Sequence, residues 1–530
     1  MTLLNHRLVS AAWPQAGRAC KPWLAPVSLS AGRRACHIQP MDTPSPRKPL
    51  KARFVEGSTL RHVATMTAAG SVGLMAVFVV DLLNLFYISL LGEEELAAAI
   101  GYAGTVMFFT TSVGIGVMIS GSALVSRAIG SGRLGDGRRL STSSLIYMAL
   151  ATGLMTLMML PFLGPLLALL GASGRTLELA RNFLLIVLPS TPLLGLGMAA
   201  SGTLRGIGDA RRSMWVTLSG GLATAALDPL LILWLGLGVE GAAIATVIAR
   251  VAMTAYGLNA VIRVHRLAAR PKLADFMADV GPLSAIAVPA ILTNIATPVG
   301  NAYVTYALAP HGDAAVAAWA VIGRLIPVAF GPLFALTGAI GPVIGQNVGA
   351  ERYDRVRQTV RDSLKLTLAY VLSVWLILAL ARQPIAGVFG LSAEGVALVE
   401  FFCLYAAGAY VFFGALFVAN AAFNNLGAPL LSTLFNWGRA TLGTIPFVWL
   451  GGRWYGVEGV IAGQALGSVA FGVTALICAF AVVRRLHAGT PPPTPATALA
   501  GPELPPFSRG EDAPAIETAA GVFPREEENG

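Results

Sequence analysis

Charged residues are scarce in this chain of 530 amino acids, since only 12% are Asp, Glu, Lys or Arg while 55% are apolar. A soluble domain is about one quarter charged. An ordinary soluble enzyme is therefore excluded, because no soluble core could bury this much apolar surface. The mean hydropathy of +0.69 indicates an integral membrane protein, and the 59 glycines suit helices that pack closely in a bilayer.

Cysteine and histidine are also rare. The four cysteines show no close pairing and no CxxC motif, and the six histidines are scattered, so no metal site is expected. The chain has no HExxH motif, no Ser/His arrangement and no nucleotide-binding loop of the GxxxxGK[ST] type. We therefore expect neither an enzyme nor ATP-driven transport, and no bound cofactor.

The positive charge is distributed as in membrane proteins. The net charge is +10, but the arginines lie between apolar segments. This distribution favours a lipid bilayer, and not nucleic acid, as the partner. Residues 1–60 contain basic residues and proline without a helical apolar run, and residues 489–530 are rich in proline and acidic residues. Neither stretch can build a core, so both are expected to be disordered tails.

Between the tails we predict an all-α polytopic membrane protein with twelve transmembrane helices. A span needs about 20 apolar residues, and twelve segments meet that length. Their predicted bounds are 65–90, 98–128, 142–170, 180–203, 213–235, 240–262, 283–309, 315–345, 361–388, 395–423, 430–450 and 457–484. Helices 1–6 form an N-lobe at 61–272, and helices 7–12 form a C-lobe at 273–488.

The loops carry unequal positive charge. Sixteen Lys and Arg residues lie in or beside the even-numbered loops, against four in or beside the odd-numbered loops. Basic residues mark cytoplasmic loops, so we expect the even-numbered loops and both termini in the cytoplasm, in a multi-pass protein of the cell inner (plasma) membrane.

An internal repeat divides the chain into two halves. SRAIGSGR at 126–133 aligns with GQNVGAER at 345–352 at an offset of 219, which also carries Gly195 onto Gly414 and Gly208 onto Gly427. GVEG occurs at 238–241 and again at 456–459. Because six helices are an even number, both halves enter the membrane from the same side. Parallel repeats of this kind around a central cavity are typical of transporters.

Six motifs follow one another along the chain: VVDLLNLFYISLLGEEELAAA, ALVSRAIGSGR, ASGTLRGIGDARRS, ALDPLLI, GVEGAAIATVIAR and IGPVIGQNVGAER. Together they resemble the multidrug and toxic compound extrusion (MATE) family, in its DinF-like branch. The resemblance covers about residues 62–485. It implies two six-helix lobes in a V shape and export of organic, often cationic, compounds by proton or sodium antiport.

Two carboxylates lie deep within the predicted spans, Asp81 in the first and Asp228 in the fifth. Both spans start inside, and each Asp lies about 22–24 Å from that end at 1.5 Å per residue. Thr246 on the sixth helix reaches the same level, and Thr224 shares the face of Asp228 one turn deeper. Because charge inside a bilayer is costly, each carboxylate is a functional candidate.

The family resemblance assigns these residues to a cation-coupling site. In the DinF-like branch that site contains a first-helix Asp, a fifth-helix N-x-x-x-D pair and a sixth-helix Thr. The sequence matches at Asp81, Asp228 and Thr246 and departs at Thr224, where the family has Asn. That departure disfavours sodium, so a proton is the preferred coupling ion.

The second half lacks these carboxylates. The repeat carries Asp81 onto Gly300 and Asp228 onto Ile445. The other MATE branch has an acidic residue eight positions after a proline of the seventh helix, where this chain has Thr297. We therefore expect coupling in the N-lobe alone.

Other polar residues within spans have less specific roles. Arg250 shares the face of Thr246 one turn deeper, either bonded to carbonyl groups or as a charge partner of Asp228 or Asp81. Asn294 and Asn301 share a face of the seventh helix and, with Asn420, are candidates for lining the central cavity. Hydrogen bonds between helices are the alternative role for these amides.

The resemblance makes a secondary active exporter of small molecules the leading interpretation, as a monomer in the bilayer working by alternating access. Two alternatives remain open. A lipid-linked oligosaccharide flippase of the same superfamily would need a strongly basic central cavity, and a membrane-embedded enzyme would need a catalytic motif.

Overall fold

The computed structural model describes residues 51–89 and 94–489, and within these ranges all regular structure is helical. The α-helices are α1 Thr59–Ser89, α2 Glu94–Gly130, α3 Leu134–Met159, α4 Leu163–Leu169, α5 Gly174–Val187, α6 Thr191–Gly206, α7 Ala210–Asp228, α8 Gly238–Leu258, α9 Leu273–Leu308, α10 Asp313–Gly349, α11 Tyr353–Leu380, α12 Arg382–Gly387, α13 Ala393–Phe401, α14 Tyr410–Leu426, α15 Pro429–Ala440 and α16 Ile445–His487.

These helices form the twelve predicted spans. Eleven apolar segments of the described chain are long enough to cross a bilayer, and the last, Pro429–His487, has 59 residues. That segment crosses twice, because Tyr455 and Gly456 leave the helical conformation inside α16, with φ +60° at Gly456. Spans 3, 4 and 10 each join two α-helices, α3 with α4, α5 with α6, and α13 with α14.

The described chain begins inside the stretch predicted as the N-terminal tail, at residue 51. Helix α1 begins at Thr59, and the segment before it is already packed, with Phe54 only 3% exposed. The Phe54 side chain is apolar, and its backbone forms hydrogen bonds with the side chains of Gln346 and Asn347. These contacts explain why residues 51–58 adopt a fixed course despite their polar composition. Residues 1–50 and 490–530 of the predicted tails lie outside the described chain.

The repeat is visible in the backbone. Gly208 and Gly427, which the repeat aligns, both have φ +85°, a left-handed conformation that glycine adopts without steric cost. Gly238 and Gly456, the first glycines of the two GVEG motifs, have φ +52° and +60°. The sequence matches therefore mark turns of the same geometry in the two halves.

The halves meet at the membrane side of the even-numbered loops, here called the even-loop end; the opposite side is the odd-loop end. A Cβ on Gly130 of α2 would overlap the Gln346 carbonyl of α10, and a Cβ on Gly349 would overlap the Arg127 carbonyl. Glycine is required because these helices approach at backbone distance. Each contact is the repeat equivalent of the other, so a pseudo-twofold axis runs between α2 and α10.

Candidate functional site

A cleft lies between the halves at the odd-loop end. One stripe of exposed residues on α2 has the spacing of a single helix face. It recurs at the equivalent positions of α10 in the second half. The α2 positions are Ala98, Gly101, Thr105 and Phe109, and the α10 positions are Ala317, Ala320, Arg324 and Val328.

The stripes face the opposite half and not the lipid. Three turns beyond Thr105 on the same face, a Cβ on Gly116 would meet the Ala287 carbonyl of α9 at 2.8 Å. Three turns beyond Arg324, Ala335 lies 3.4 Å from the Cβ position of Gly70 in α1. Each of these two helix faces is therefore exposed at the odd-loop end and packed against the opposite lobe at the even-loop end. The cleft is open at the odd-loop end and closed at the even-loop end.

The predicted coupling residues lie on adjacent helices of the N-lobe. Asp228 is the last residue of α7, and its side chain is 0% exposed. Pro229 follows and starts a π-helical turn to Trp234, because proline cannot donate the next helical hydrogen bond. Asp81 occupies the outer third of α1, but its side chain lies outside the part of the chain that the structure describes.

The register of α1 against α7 corrects the expected depths. The Cβ position of Gly73 lies 3.5 Å from Thr217, and that of Gly221 lies 3.7 Å from Val80. Residues of the two parallel helices are therefore level when their numbers differ by about 141–144. Thr224 is level with Asp81, whereas Asp228 lies about one turn nearer the odd-loop end. The expectation of equal depth was wrong because it took both helices to start at one level. By this register Ala210, the first residue of α7, lies level with residues 66–69 of α1, which begins at Thr59.

The two predicted threonines bond within their own helices. The Thr224 hydroxyl donates to Gly220 O at 3.2 Å, and the Thr246 hydroxyl donates to Ala242 O at 2.9 Å. Helices α7 and α8 are antiparallel, with Gly241 against Leu231, which brings Thr246 within one turn of the level of Asp228. Each hydroxyl oxygen keeps lone pairs that can accept a hydrogen bond or coordinate a cation.

Asn84 was missed by the sequence analysis. It lies level with Asp228 by the same register, and its buried Oδ1 has no hydrogen-bond partner among the described residues. A buried amide oxygen without a partner costs free energy, which points to a ligand or a proton donor at this place. The signal was present in the motif VVDLLN, where Asn84 follows Asp81 by three residues on the same face.

Arg250 is buried, at 5% exposed, and its guanidinium is directed at the fourth span. Its Nη1 donates to Val187 O at 2.8 Å and to Ser190 Oγ at 2.9 Å. These bonds correspond to the first of the two interpretations of this arginine, in which carbonyl and hydroxyl groups satisfy the cation.

The C-lobe residues are arranged differently. Thr297 accepts a hydrogen bond from Arg439 Nη2 at 3.1 Å. Asn294 donates to Ala290 O in its own helix, while Asn301 is exposed and bonds to Gln464. Asn420 is 4% exposed and accepts from Asn436 at 2.9 Å, so it lies inside the C-lobe and does not line the cleft.

Comparison with known families matches both halves of the chain. A family model described as MatE matches residues 71–230 and residues 289–450. The first matched stretch lies in the N-lobe and the second in the C-lobe, so each corresponds to one half of the internal repeat.

Two curated relatives match most of the chain. The chain is 30% identical over 437 residues to the FAD transporter of Shewanella oneidensis, across 81% of this chain and 96% of that protein. It is 26% identical over 339 residues to the multidrug export protein MepA of Staphylococcus aureus, across 62% of this chain and 72% of that protein.

Solved structures share the fold. The bent form of the Vibrio cholerae MATE transporter VcmN has a TM-score of 0.76 and 24% identity, across 81% of this chain and 98% of that chain. A transporter of the MOP superfamily from Pyrococcus furiosus has a TM-score of 0.77 and 20% identity, across 83% and 99%.

Proposed function

Because the chain belongs to the MatE family of multi-pass membrane transporters, we propose that it exports small organic compounds across the cell inner membrane in exchange for protons. The observation that carries this proposal is the cleft between two repeated halves, open at one end only, beside a fully buried carboxylate at Asp228. A binding site open to one side at a time is what alternating access requires.

The proposed coupling site comprises Asp81, Asp228, Thr246 and Thr224, with Asn84 added. In this proposal the buried carboxylate of Asp228 carries the proton that enters from outside. Sodium would require several oxygen atoms that converge on one point. The hydroxyl of Thr224 is shorter than the amide that the family has there, which supports the proton over sodium.

Orientation completes the proposal. The even-loop end, with its sixteen basic residues, is assigned to the cytoplasm, so the present cleft faces outward. Cysteines placed at Glu94 and Asp354 test this assignment in intact cells. Labelling from outside at position 94 and only after permeabilisation at position 354 supports it, and the reverse pattern contradicts it.

Two substrate classes enter the proposal. Organic cations would compete with the proton for the carboxylates of the N-lobe. A relative of similar length is named for FAD, an anionic dinucleotide, and the specific observation that favours this second class is Arg324 in the wall of the cleft.

Efflux from proteoliposomes tests the function. An imposed pH gradient without sodium should drive export by the wild type, whereas Asp81→Asn and Asp228→Asn should each abolish it. Thr297→Ala is the matched control, because it removes a polar group of the C-lobe and should leave most of the activity. Wild-type transport by Asp228→Asn at normal expression would contradict the site, and transport driven only by sodium would contradict the proton.

A further inference from the structure

Arg205, near the end of α6, extends across the interface between the halves at the floor of the cleft. Its Nη2 donates to the Met118 thioether sulfur at 2.7 Å, and its Nη1 occupies the space where a Cβ of Gly338 in α10 would stand. Its Nε is buried and has no hydrogen-bond partner among the described residues. A thioether is a weak acceptor, so this guanidinium is poorly satisfied.

A small pocket surrounds that guanidinium, and both halves contribute to it. Its lining includes Met118, Ser122 and Arg205 from the N-lobe and Thr337, Gly341 and Asn425 from the C-lobe. Among the residues that the structure describes, no carboxylate lies within ion-pairing distance of Arg205.

Arg324 faces the same cleft nearer its open end. Gly331, Gly338 and Gly345 follow Arg324 on α10 at intervals of seven residues, which is two turns of one helix face. Their Cβ positions approach Met75, Arg205 and Ser126, all of the N-lobe. Arg324 lies on the face of α10 that is directed at the N-lobe. At its level the two lobes are apart, and its side chain is exposed.

The internal repeat has no cation at the positions equivalent to these two arginines. At the offset of 219, Arg205 corresponds to Asn424 and Arg324 to Thr105, both neutral. Arginines that stabilise the fold of this chain bond to oxygen atoms, as Arg212 does to Asp209 at 2.6 Å and Arg250 to Val187 O at 2.8 Å. Among the described residues, the side chain of Arg205 bonds to a thioether sulfur instead. A buried cation without an oxygen acceptor costs several kcal/mol, so the place of Arg205 at the floor of the cleft indicates an anion supplied by a ligand.

We propose that Arg205 binds a phosphate group of the transported compound at the floor of the cleft, with Arg324 as a second contact nearer the open end. Guanidinium groups recognise phosphate through paired charge-assisted hydrogen bonds. Phe108 and Phe109, 41% and 42% exposed at the outer part of α2, provide faces on which an aromatic ring can stack. The substrate class is thus an aromatic compound that carries phosphate, such as a flavin nucleotide. This inference rests on the proposed export function and specifies its substrate.

Binding of two flavins to the purified full chain tests the proposal, because FMN and riboflavin differ by one phosphate. Fluorescence titration should give a dissociation constant for FMN about tenfold or more below that for riboflavin. Arg205→Gln should remove that preference and Arg205→Lys should retain part of it. Arg324→Gln should weaken both flavins, because Arg324 lies fourteen residues, about 21 Å, along α10 from Gly338, which Arg205 contacts. Arg453→Gln, which changes an exposed arginine outside the cleft, is the matched control and should keep the full preference.

Two outcomes would overturn the proposal. The first is a wild type that binds FMN no more tightly than riboflavin. The second is an Arg205→Gln variant that weakens both flavins equally, because a purely structural arginine would have that effect. Efflux of ethidium from proteoliposomes distinguishes failure of this substrate proposal from failure of the proposed export function. If the wild type exports ethidium but does not prefer FMN to riboflavin, the substrate proposal is wrong and the export function stands. If the wild type exports nothing, the proposed function itself is contradicted.

Discussion

Arg127 and Gln346, which occupy equivalent positions of the repeat, make the same hydrogen bond from opposite lobes. Arg127 Nη2 donates to Asn425 O at 2.6 Å, and Gln346 Nε2 donates to Gly206 O at 2.8 Å. The two acceptors are also equivalent to each other in the repeat. The even-loop end is therefore closed by a pair of equivalent contacts around the pseudo-twofold axis, and opening that end must break both.

We predict that Arg127→Ala and Gln346→Ala shift the protein toward the state that is open at the even-loop end. Each removes a hydrogen bond that exists only between closed lobes. Ser126 is 0% exposed there and lies against Gly345, its own repeat equivalent. In a chain without native cysteines, Ser126→Cys should be labelled by a maleimide several-fold faster in either variant. Arg138→Ala, an exposed arginine near the same end, is the control, and equal labelling in all variants would contradict the prediction.

Two glycines of α10 should respond in opposite ways to the same substitution. Gly349→Ala places a Cβ on the Arg127 carbonyl, so the closed end must shift, at a cost of about 1–3 kcal/mol. Gly323→Ala places its Cβ in open space, and alanine favours the helix by about 1 kcal/mol. The melting temperature should fall for the first variant and hold or rise for the second. A fall of similar size in both would refute the assigned contacts.

The sequence was sufficient for the span count, the lobes and the repeat, because apolar length and turn glycines are local signals. Gly208 and Gly427 illustrate this, since both lie at predicted turns and share one backbone conformation. The packed segment around Phe54 was not predictable, because one buried side chain gives no periodic pattern and its hydrogen-bond partners, Gln346 and Asn347, lie in the other half of the chain.

The sequence was also insufficient to predict the depth of each site residue along the helix axes. The prediction took spans 1 and 5 to start at one level, whereas α1 begins about seven to ten residues before the level of Ala210, the start of α7. Asp81 and Asp228 were therefore wrongly placed at one depth. The contacts of Gly73 and Gly221 with neighbouring helices set the register. Whether Asn420 is buried or lines the cleft likewise depends on which helix packs beside it.

Asn84→Ala should reduce proton-driven efflux at least about tenfold, because it removes a polar oxygen level with Asp228. Ser71→Ala is the matched control on the same helix, where the hydroxyl already bonds to Thr67 O at 2.8 Å. Efflux is measured in proteoliposomes under an imposed pH gradient, with the amount of inserted protein matched. If Asn84→Ala transports like the wild type while Asp228→Asn does not, Asn84 is not part of the coupling site.

The segment before α1 should hold the even-loop end closed. Phe54 N donates to Gln346 Oε1 at 3.0 Å, and Arg53 Nη1 donates to Gly208 O at 3.2 Å, so adjacent residues bond to opposite lobes. Truncating a buried phenylalanine typically costs about 3–5 kcal/mol. Because this ring lies at the junction of the lobes, Phe54→Ala should raise the labelling of Ser126→Cys as well as lower the melting temperature. A lower melting temperature with unchanged labelling would mean that Phe54 stabilises the C-lobe core alone, and the segment would then have no part in closing the cleft.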